Sequence, residues 1–189
     1  MSDLTTAVPP REARQTPAPP DVRPPEDADC LEMYAKLSSG VCVVAACGDD
    51  GPHGMTVSTA TSLSAHPPLL LVCLRSGSRT LTAVGVHRTF AVNVLRREQV
   101  RRATVFADPR TTRAQRFAGS ETRTVCGAPV FPDALAWAAC LVEEIHEYGD
   151  HHLVVGRVRD VHTSPGEPLL WHDRDFRVLD GVGAACESG

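Results

Sequence analysis

Apolar residues in this chain fall into short runs separated by turn residues, a pattern typical of β-strands. The run VCVVAAC at residues 41–47 is followed by GDDGPHG, whose Asp50-Gly51 pair predicts a hairpin into a second strand. That second strand is a hydroxyl-rich segment between residues 54 and 64. After Pro67-Pro68, residues 69–74 predict an almost wholly apolar third strand. This part of the chain therefore predicts strands joined by tight turns.

More strands and a few short helices are predicted on either side of these strands. A first helix is expected after Asp29, a plausible cap, with apolar residues at helical spacing at Leu31, Tyr34 and Leu37. The other predicted strands lie at residues 90–95, 134–145 and 152–161, and a short final piece at 169–179 closes the chain. The other helices are predicted at 79–86 and within the charged segment 96–117, which is interrupted at Asp108-Pro109. About six strands with modest helices favour an antiparallel barrel over alternating βαβ units. The sequence has no GxGxxG fingerprint, which disfavours a Rossmann domain.

The hydroxyl-rich segment is the most informative candidate for chemistry. It carries six hydroxyl side chains, namely Thr56, Ser58, Thr59, Thr61, Ser62 and Ser64. A core strand has little reason to carry hydroxyls on both faces, whereas hydroxyls beside exposed backbone N–H groups suit a phosphate or a polar cofactor ring. The alternative is an exposed edge strand, rich in Thr and Ser, that binds nothing.

Composition and charge narrow the class of protein. The 189 residues are 42% hydrophobic with a net charge of −4, enough apolar content for one domain and no electrostatic reason to bind nucleic acid or an anionic membrane. No apolar run reaches the length of a membrane span, and the N-terminus does not resemble a signal peptide. We therefore expect a soluble cytoplasmic protein.

The two ends of the chain differ from its middle. Residues 1–29 hold seven of the fifteen prolines and few large apolar side chains, which predicts a disordered arm. Residues 181–189 are small or polar and predict a flexible tail. The functional domain is expected at residues 30–180.

Cysteine and histidine do not form a recognisable metal or disulfide pattern. The seven cysteines are odd in number and include no C-x-x-C pair. Three of them lie in apolar, strand-like runs, where a thiol behaves as a small hydrophobe: Cys42, Cys73 and Cys140. The histidines lack ligand spacing with cysteines or carboxylates. We expect reduced structural cysteines and no metal.

Taken together and in order, several short motifs resemble the short-chain flavin reductase family. The matching pieces are LSSGVCVV (37–44), GMTVSTATSLSAHPP (54–68), SRT (78–80), FAVNVL (90–95), FA (106–107), GDHHLVVGRV (149–158) and PLLWHDRDFRVL (168–179). The resemblance spans almost everything between Leu31 and Leu179. It implies an FMN-binding split β-barrel, which is mainly β with flanking helices, antiparallel and Greek-key-like.

The resemblance also implies an activity. Family members are homodimeric reductases that use NADH or NADPH to reduce FMN or FAD, and many supply the reduced flavin to a separate monooxygenase or halogenase. Two alternatives stay open, a flavoprotein that retains FMN as an oxidase or electron carrier and a non-catalytic flavin-binding protein. Because no dinucleotide fingerprint is present, the choices between FMN and FAD and between NADH and NADPH stay open as well.

The resemblance places the flavin ring and ribityl chain along the hydroxyl-rich segment. The cofactor-binding residues that it implies there are Thr56, Val57, Ser58, Thr61, Ser62, Leu63 and Ser64. Phe106, Ala107, Arg174 and Phe176 are carried over from the other motifs. The chain departs from the family at Ser58-Thr59, where Asn-Ser is common, and at Phe176, where a tyrosine is common and a phenolic hydrogen bond is lost. For Arg174 the alternative is a surface ion pair with a neighbouring aspartate.

A phosphate is expected at Ser78, Arg79 and Thr80. Gly77 frees the backbone there, the turn opens a helix, and a helix N-terminus attracts anions. Arg79 adds a fixed positive charge with a planar set of donors. The alternative role for Ser78 is an ordinary helix cap, and both roles are compatible.

His151 is the predicted catalytic residue. In GDHHLVVG a Gly-Asp turn precedes a histidine at a strand start, where relatives place a histidine beside the nicotinamide. A neutral imidazole there could orient the carboxamide or accommodate charge as hydride leaves. The alternative is an exposed turn histidine. His152 is expected to point to the other face of the strand.

Overall fold

The computed structural model describes residues 25–179. Residues 1–24 of the predicted arm and the whole predicted tail, 181–189, lie outside the described residues. The chain divides between Tyr34 and Ala35 into two compact units. The first contains most of helix α1 (Asp27–Ala35), which begins two residues before the predicted cap, so that Asp29 lies in its first turn together with Asp27. Carboxylates in a first turn favour the positive end of the helix dipole.

The second unit is built around one antiparallel sheet of seven strands. In chain order the strands of this unit are β1 (Ser39–Gly40), β2 (Cys42–Gly48), β3 (Gly51–Val57), β4 (Thr61–Ala65), β5 (Pro68–Arg75), β6 (Thr89–Val94), β7 (Arg123–Val125), β8 (Ala128–Val130), β9 (Ala136–Tyr148), β10 (His151–Thr163), β11 (Leu170–His172) and β12 (Asp175–Arg177). The main sheet has the order β3-β2-β6-β9-β10-β5-β4. Two small sheets, β1-β11-β12 and β7-β8, accompany it.

Three helices and one 3-10 turn flank this sheet. They are α2 (Arg79–His87), the 3-10 turn Arg97–Gln99, α3 (Val100–Ala107) and α4 (Arg113–Phe117). Every pairing in the main sheet is antiparallel. The predicted fold class, mainly antiparallel β with flanking helices, is confirmed.

Strand β2 is apolar throughout because the molecule buries both of its faces. Cys42, Val44 and Ala46 belong to a cluster enclosed by the main sheet and α2. Val43, on the opposite face, belongs to a second cluster that includes Phe106 of α3. Residues i and i+2 of a strand share a face, so a strand packed on both sides shows no alternation in its sequence.

The main sheet is curled. Its edge strands β3 and β4 stand at opposite ends of the strand order, yet only residues 58–60 separate them in the chain. A flat sheet of seven strands about 4.8 Å apart could not be bridged by three residues, so the two edges must approach each other. The sequence predicted one extended hydroxyl-rich segment, which is wrong, because the chain leaves one edge after Val57 and joins the other at Thr61.

The two thiols that lie deepest behave as the small hydrophobes expected from the sequence. Cys42 and Cys140 are buried, and burial raises the pKa of each to about 12. Cys73 is only half-buried. Between residues 25 and 179 the structure has no cluster of three His, Cys, Asp or Glu side chains that could hold a metal, and no helix there is long and apolar enough to span a membrane.

Candidate functional site

A cavity of about 630 Å³ opens where the sheet is split, between β3 and the turn that joins β5 to α2. Its volume is in the range of small-molecule sites. One side, which we call the strand wall, consists of His53, Gly54, Met55, Thr56, Arg75, Ser76, Gly77, Ser78, Arg79 and Thr80. The other side, the arginine wall, consists of Phe106, Ala107, Pro109, Arg110, Thr111, Thr112, Arg113, Arg116 and Phe117.

The polar groups of the strand wall are largely bonded within the protein. Ser78 caps α2, its Oγ accepting a hydrogen bond from the Leu81 amide at 3.2 Å, so the alternative role named for it is realised. The Thr56 hydroxyl donates to the Ala103 carbonyl at 2.6 Å. Thr80 is buried at the start of α2. The N-terminus of this nine-residue helix therefore faces the cavity with its positive dipole end.

His53, which the sequence reasoning missed, belongs to β3 and lines the cavity. It is buried, and its Nε2 lies 2.6 Å from Asp50 Oδ1. This hydrogen bond lowers the pKa of Asp50, with smaller contributions from the charges of His53 and Arg113. The β2–β3 hairpin turn therefore presents a carboxylate that contacts both walls.

The arginine wall is formed by the end of α3, the turn after it and α4. Helix α4 starts with a capping box in which Thr112 Oγ1 accepts from the Gln115 amide and the Gln115 side chain accepts from the Thr112 amide. Arg116 donates to the carbonyls of Gly54 at 2.7 Å and Asp108 at 2.9 Å, which joins α4 to β3. These hydrogen bonds fix α4 against the strand wall.

The electrostatics of the cavity favour an anion. Five arginines line it, namely Arg75, Arg79, Arg110, Arg113 and Arg116. Among residues 25–179, no carboxylate side chain lines it. Asp108 lies beside Arg110, whose hydrogen bonds to the carboxylate lower the pKa of Asp108. Burial lowers the pKa of Arg116, against the raising effect of Asp108, and the charge of Arg79 lowers it further. The guanidinium groups of Arg79 and Arg116 thus lie close enough to repel each other.

Six of the predicted cofactor-binding residues line this cavity. They are Thr56, Ser78, Arg79, Thr80, Phe106 and Ala107. Phe106 is held by edge-to-face contacts with Phe117 and Phe131, at centroid distances of 5.1 and 5.7 Å. The curl of the sheet thereby brings Thr56 and Phe106, which are 50 residues apart in the sequence, to one cavity.

The rest of the hydroxyl-rich segment lies elsewhere. Val57 is buried in the core. The other five lie on the link after β3 or on β4, and they are Ser58, Thr61, Ser62, Leu63 and Ser64. All of these are exposed except Ser64, which is half-buried. The β4–β5 pairing slips between Ser62 and Ser64, where Leu63 is the extra residue of a bulge. None of these six residues lines the cavity.

Arg174 and Phe176 also lie away from the cavity. Asp173 and Arg174 form the turn between β11 and β12, both with positive φ, as a two-residue hairpin turn requires. Phe176 packs edge-to-face against Trp171 at 5.0 Å, against the second apolar cluster. Their assignment to the flavin stays a prediction.

The two histidines of the GDHH motif are the first residues of β10 and lie beside the end of β5. In the β5–β10 pairing His151 is opposite Arg75, and its Nδ1 lies 2.8 Å from its neighbour Asp150 Oδ1. The Ser76 amide donates to the Asp150 carbonyl at 2.9 Å. His152 Nδ1 lies 3.1 Å from the hydroxyl of Ser76, which lines the cavity. The structure therefore brings both histidines beside the strand wall, with His152 in direct contact with it.

Three arginines of the arginine wall were missed by motif reasoning. Arg110, Arg113 and Arg116 follow one another at a spacing of three residues, and that spacing was the signal available in the sequence. Arg113 and Arg116 lie on α4, where residues three apart share a face, whereas Arg110 lies in the turn before this helix. The charged segment was predicted only as helical.

The cavity fits a phosphorylated nucleotide. Two solvent-shielded donor atoms on its arginine wall, Arg113 Nη1 and Arg116 Nε, have no hydrogen-bond partner. Unpaired shielded donors are costly, and an anionic oxygen acceptor is the group that would satisfy them. The N-terminus of α2 offers a second place for an anion.

Comparison with known proteins identifies the family. A model of the flavin reductase-like domain matches residues 33–180. The chain is 38% identical over 160 residues to the actinorhodin polyketide dimerase of Streptomyces coelicolor, covering 83% of this chain and 89% of that protein. It is 39% identical over 160 residues to a flavin reductase (NADPH) of Lentzea aerocolonigenes, covering 82% and 92%.

A solved structure supports the same conclusion. BorF, the flavin reductase component of a bacterial two-component tryptophan halogenase, superposes with a TM-score of 0.74 at 29% identity, covering 82% of this chain and 99% of that one. The resemblance inferred from the ordered motifs is confirmed. The chain belongs to the family of flavin reductase-like proteins.

Proposed function

We propose that this protein is an NAD(P)H:flavin oxidoreductase that reduces FMN or FAD by hydride transfer. The observation that carries the proposal is the cationic cavity at the split of the sheet, in a chain of the flavin reductase-like family. Its two walls offer a helix N-terminus and several guanidinium groups, which suit phosphorylated nucleotides. The relative named as an NADPH-dependent flavin reductase supports the same activity.

The protein's contribution to this reaction is to bind and orient. A bound flavin supplies the hydride acceptor, and the nicotinamide nucleotide supplies the hydride. Ser78, Arg79 and Thr80 would hold a phosphate at the start of α2, and Thr56 would line the flavin beside them. Phe106 closes the cavity floor with an apolar ring, which excludes water from that side.

His151 is proposed to orient the nicotinamide. Its imidazole stands at the end of β5, held through Nδ1 by Asp150, next to the turn that lines the cavity. That hydrogen bond fixes the ring orientation and lowers the pKa of Asp150. His152 is the other candidate for this role because it contacts Ser76 directly.

A homodimer is proposed because a single split barrel leaves one side of a bound flavin open. The link after β3 and strand β4 are exposed, including the apolar side chain of Leu63 at 49%. A second copy could cover them and bring Ser58 to Ser64 to a flavin at the interface. Light scattering of the purified protein, with and without FMN, tests the dimer. Cytoplasmic localisation stays a prediction, to be tested by cell fractionation.

A partner oxygenase or halogenase is proposed as the consumer of the reduced flavin. The support is the likeness to BorF, which is the reductase component of a two-component halogenase. If the flavin leaves after reduction, the purified protein should contain little of it. A tight yellow complex that shows no NADH turnover would overturn the reductase proposal in favour of a retained-flavin protein.

Steady-state oxidation of NADH and NADPH, each with FMN, FAD and riboflavin in turn, tests the proposed activity. We expect nicotinamide oxidation that depends on both the protein and an added flavin. Equal rates with and without added flavin would contradict the use of flavin as substrate. The ratios among the six combinations identify the preferred nucleotides.

The name of one relative favours a second candidate function, dimerisation of a polyketide. The same assay separates the two candidates. A flavin reductase oxidises NADH with flavin alone, whereas a dimerase that lacked this activity would turn over only when a polyketide substrate was added.

A further inference from the structure

The three arginines of the arginine wall differ in how they are paired. Arg110 is paired internally, because its Nε and Nη2 reach the Asp108 carboxylate at 3.0 and 2.9 Å. Arg113 lies 3.5 Å from Asp50 through Nη1, but this contact lacks the geometry of a hydrogen bond, and the Nη1 atom is shielded from solvent without a partner. Arg116 donates hydrogen bonds to two backbone carbonyls, and its Nε is shielded from solvent and has no hydrogen-bond partner.

Arg113 and Arg116 are also neighbours on α4. They are three residues apart, so their side chains leave the helix on adjacent positions of one face. Both line the cavity, and Arg79 of the strand wall is close enough to lower the pKa of Arg116. Three positive groups thus converge with only Asp50 and Asp108 near them.

Such an arrangement is costly without an anion. A shielded guanidinium donor with no acceptor loses its hydration, and like charges in a cavity repel each other. A phosphate offers three acceptor oxygens and negative charge, and the planar guanidinium matches it in two-point hydrogen bonding. The cost to the free protein is then recovered when the ligand binds.

We propose that Arg113 and Arg116 form a second phosphate subsite, in the same cavity as the Ser78–Thr80 turn, which binds a phosphate group of a nucleotide. The proposal rests on the proposed function, because it takes flavin and nicotinamide nucleotides as the ligands. The phosphate could be that of FMN, the additional phosphate of FAD or the 2′-phosphate of NADPH. These three sources share one chemistry and are separable by choice of ligand.

The experiment compares Arg113→Gln and Arg116→Gln with Arg101→Gln as a charge-matched control. Arg101 is exposed on α3 and does not line the cavity. Dissociation constants are measured for riboflavin, FMN, FAD, NADH and NADPH by fluorescence and calorimetry, at low and moderate salt. We expect Arg113→Gln to weaken binding of at least one phosphorylated ligand by about tenfold or more, as loss of a charged hydrogen bond does.

The pattern of losses identifies the phosphate. A loss for FMN and FAD but not riboflavin assigns the flavin phosphate, a loss for FAD alone assigns its second phosphate, and a loss for NADPH but not NADH assigns the 2′-phosphate. The loss should shrink as salt rises, whereas the effect of Arg101→Gln, a screened surface charge, should be small for every ligand. Equal affinities in Arg113→Gln and Arg101→Gln, or equal losses for riboflavin, FMN and FAD with NADH and NADPH also alike, would overturn the subsite.

Two measurements keep this result separate from other failures. Arg116→Gln also removes hydrogen bonds to Gly54 and Asp108, so its melting temperature is recorded, and Arg113→Gln decides the outcome if Arg116→Gln unfolds. Wild-type NAD(P)H oxidation with flavin is measured in parallel. Absent wild-type turnover overturns the proposed function, while normal turnover with unchanged affinities in Arg113→Gln overturns only the subsite.

Discussion

The strand wall and the arginine wall bound the same cavity but use their polar groups differently. In the strand wall, Ser78 caps a helix and Thr56 bonds to the Ala103 carbonyl, so these hydroxyls already have protein partners. In the arginine wall, Arg113 and Arg116 keep shielded donors without partners. The strand wall carries the recognisable motifs, whereas the arginine wall carries the unmet hydrogen-bonding capacity.

The difference shows what a motif encodes. In the Ser-Arg-Thr motif after Gly77, the serine caps α2 and the glycine adopts a positive φ, and both are local requirements of the backbone. The charges that would meet a ligand can lie on any element that the fold carries to the cavity. Motif positions thus line the cavity, and the unpaired donors indicate the chemistry of the ligand that we propose for it.

The largest expected effect is at Gly54, where the two walls touch. A Cβ there would lie 2.8 Å from Phe106 Cε1 and 3.3 Å from the Val44 carbonyl oxygen. Gly54→Ala should lower the free energy of unfolding by about 1–3 kcal/mol, because a close-packed contact must be forced apart. Urea unfolding measures the loss, and flavin affinity should fall with it as Phe106 shifts.

Gly85 of α2 is the matched control for this change. A Cβ at Gly85 would meet nothing within 4 Å, and the residue is in the interior of a helix. Gly85→Ala should therefore raise stability by about 0.5–1 kcal/mol through helix propensity. If the two alanine variants lose stability equally, the close contact between the walls is not what requires Gly54.

The next effect concerns the histidines beside the strand wall. His151→Ala should lower kcat for NADH oxidation by about tenfold, equal to about 1.4 kcal/mol, and change flavin affinity much less, because the proposed contact is with the nicotinamide. His152→Ala removes the 3.1 Å contact with Ser76 and should act mainly on flavin affinity. Rapid-mixing kinetics and flavin titration separate the two quantities. The reverse pattern would transfer the nicotinamide role to His152.

A smaller effect is expected at Ser78. Ser78→Ala removes the acceptor of the Leu81 amide and should cost about 1 kcal/mol of stability, whereas Ser78→Gly should cost only a few tenths. Thermal unfolding measures both variants. If alanine and glycine are equally tolerated, the cap contributes nothing. If FMN affinity also falls much more than riboflavin affinity, the hydroxyl helps to hold the phosphate.

Much of the fold follows from local pattern. The strand predicted at 69–74 is β5 (Pro68–Arg75), and the helix predicted at 79–86 is α2 (Arg79–His87). In both places the run of apolar residues and the turn chemistry agree with the buried surface that the fold creates. Short strands such as β7 and β11, three residues each, carry too few positions to show a period and were missed.

Residues of the cavity could be predicted from the sequence only where local backbone geometry determines their position. Thr56, Ser78 and Phe106 line the cavity as the family motifs imply. Ser62 lies six residues after Thr56 and also carries a hydroxyl, but it is on the opposite edge of the sheet, because the break at 58–60 is set by the curl of the whole sheet. No local pattern distinguishes a hydroxyl that faces the cavity from one that faces away.

The smallest effect is expected for a substitution at Asp133. This residue forms an ion pair with Arg102 at the start of α3, the helix whose end belongs to the arginine wall. Arg102 donates two hydrogen bonds of 2.8 and 2.9 Å to the Asp133 carboxylate. Its guanidinium lies over the Phe131 ring, 4.5 Å from the ring centroid. Partial burial alone would raise the pKa of Asp133, but the hydrogen bonds and charge of Arg102 outweigh it, so the pKa is lowered.

A carboxylate with a lowered pKa stabilises the fold above its ordinary pKa of about 4, and this contribution is lost as pH falls through its folded value. Because Asp133 is more than half exposed, the contribution should be 1 kcal/mol or less, roughly, at neutral pH. Asp133→Asn should then be less stable than wild type at pH 7, and the difference should vanish toward pH 3. Melting temperatures of both proteins across that range measure it. A difference that stays constant with pH would mean that the hydrogen bonds accepted by the Asp133 side chain, and not its charge, stabilise the fold.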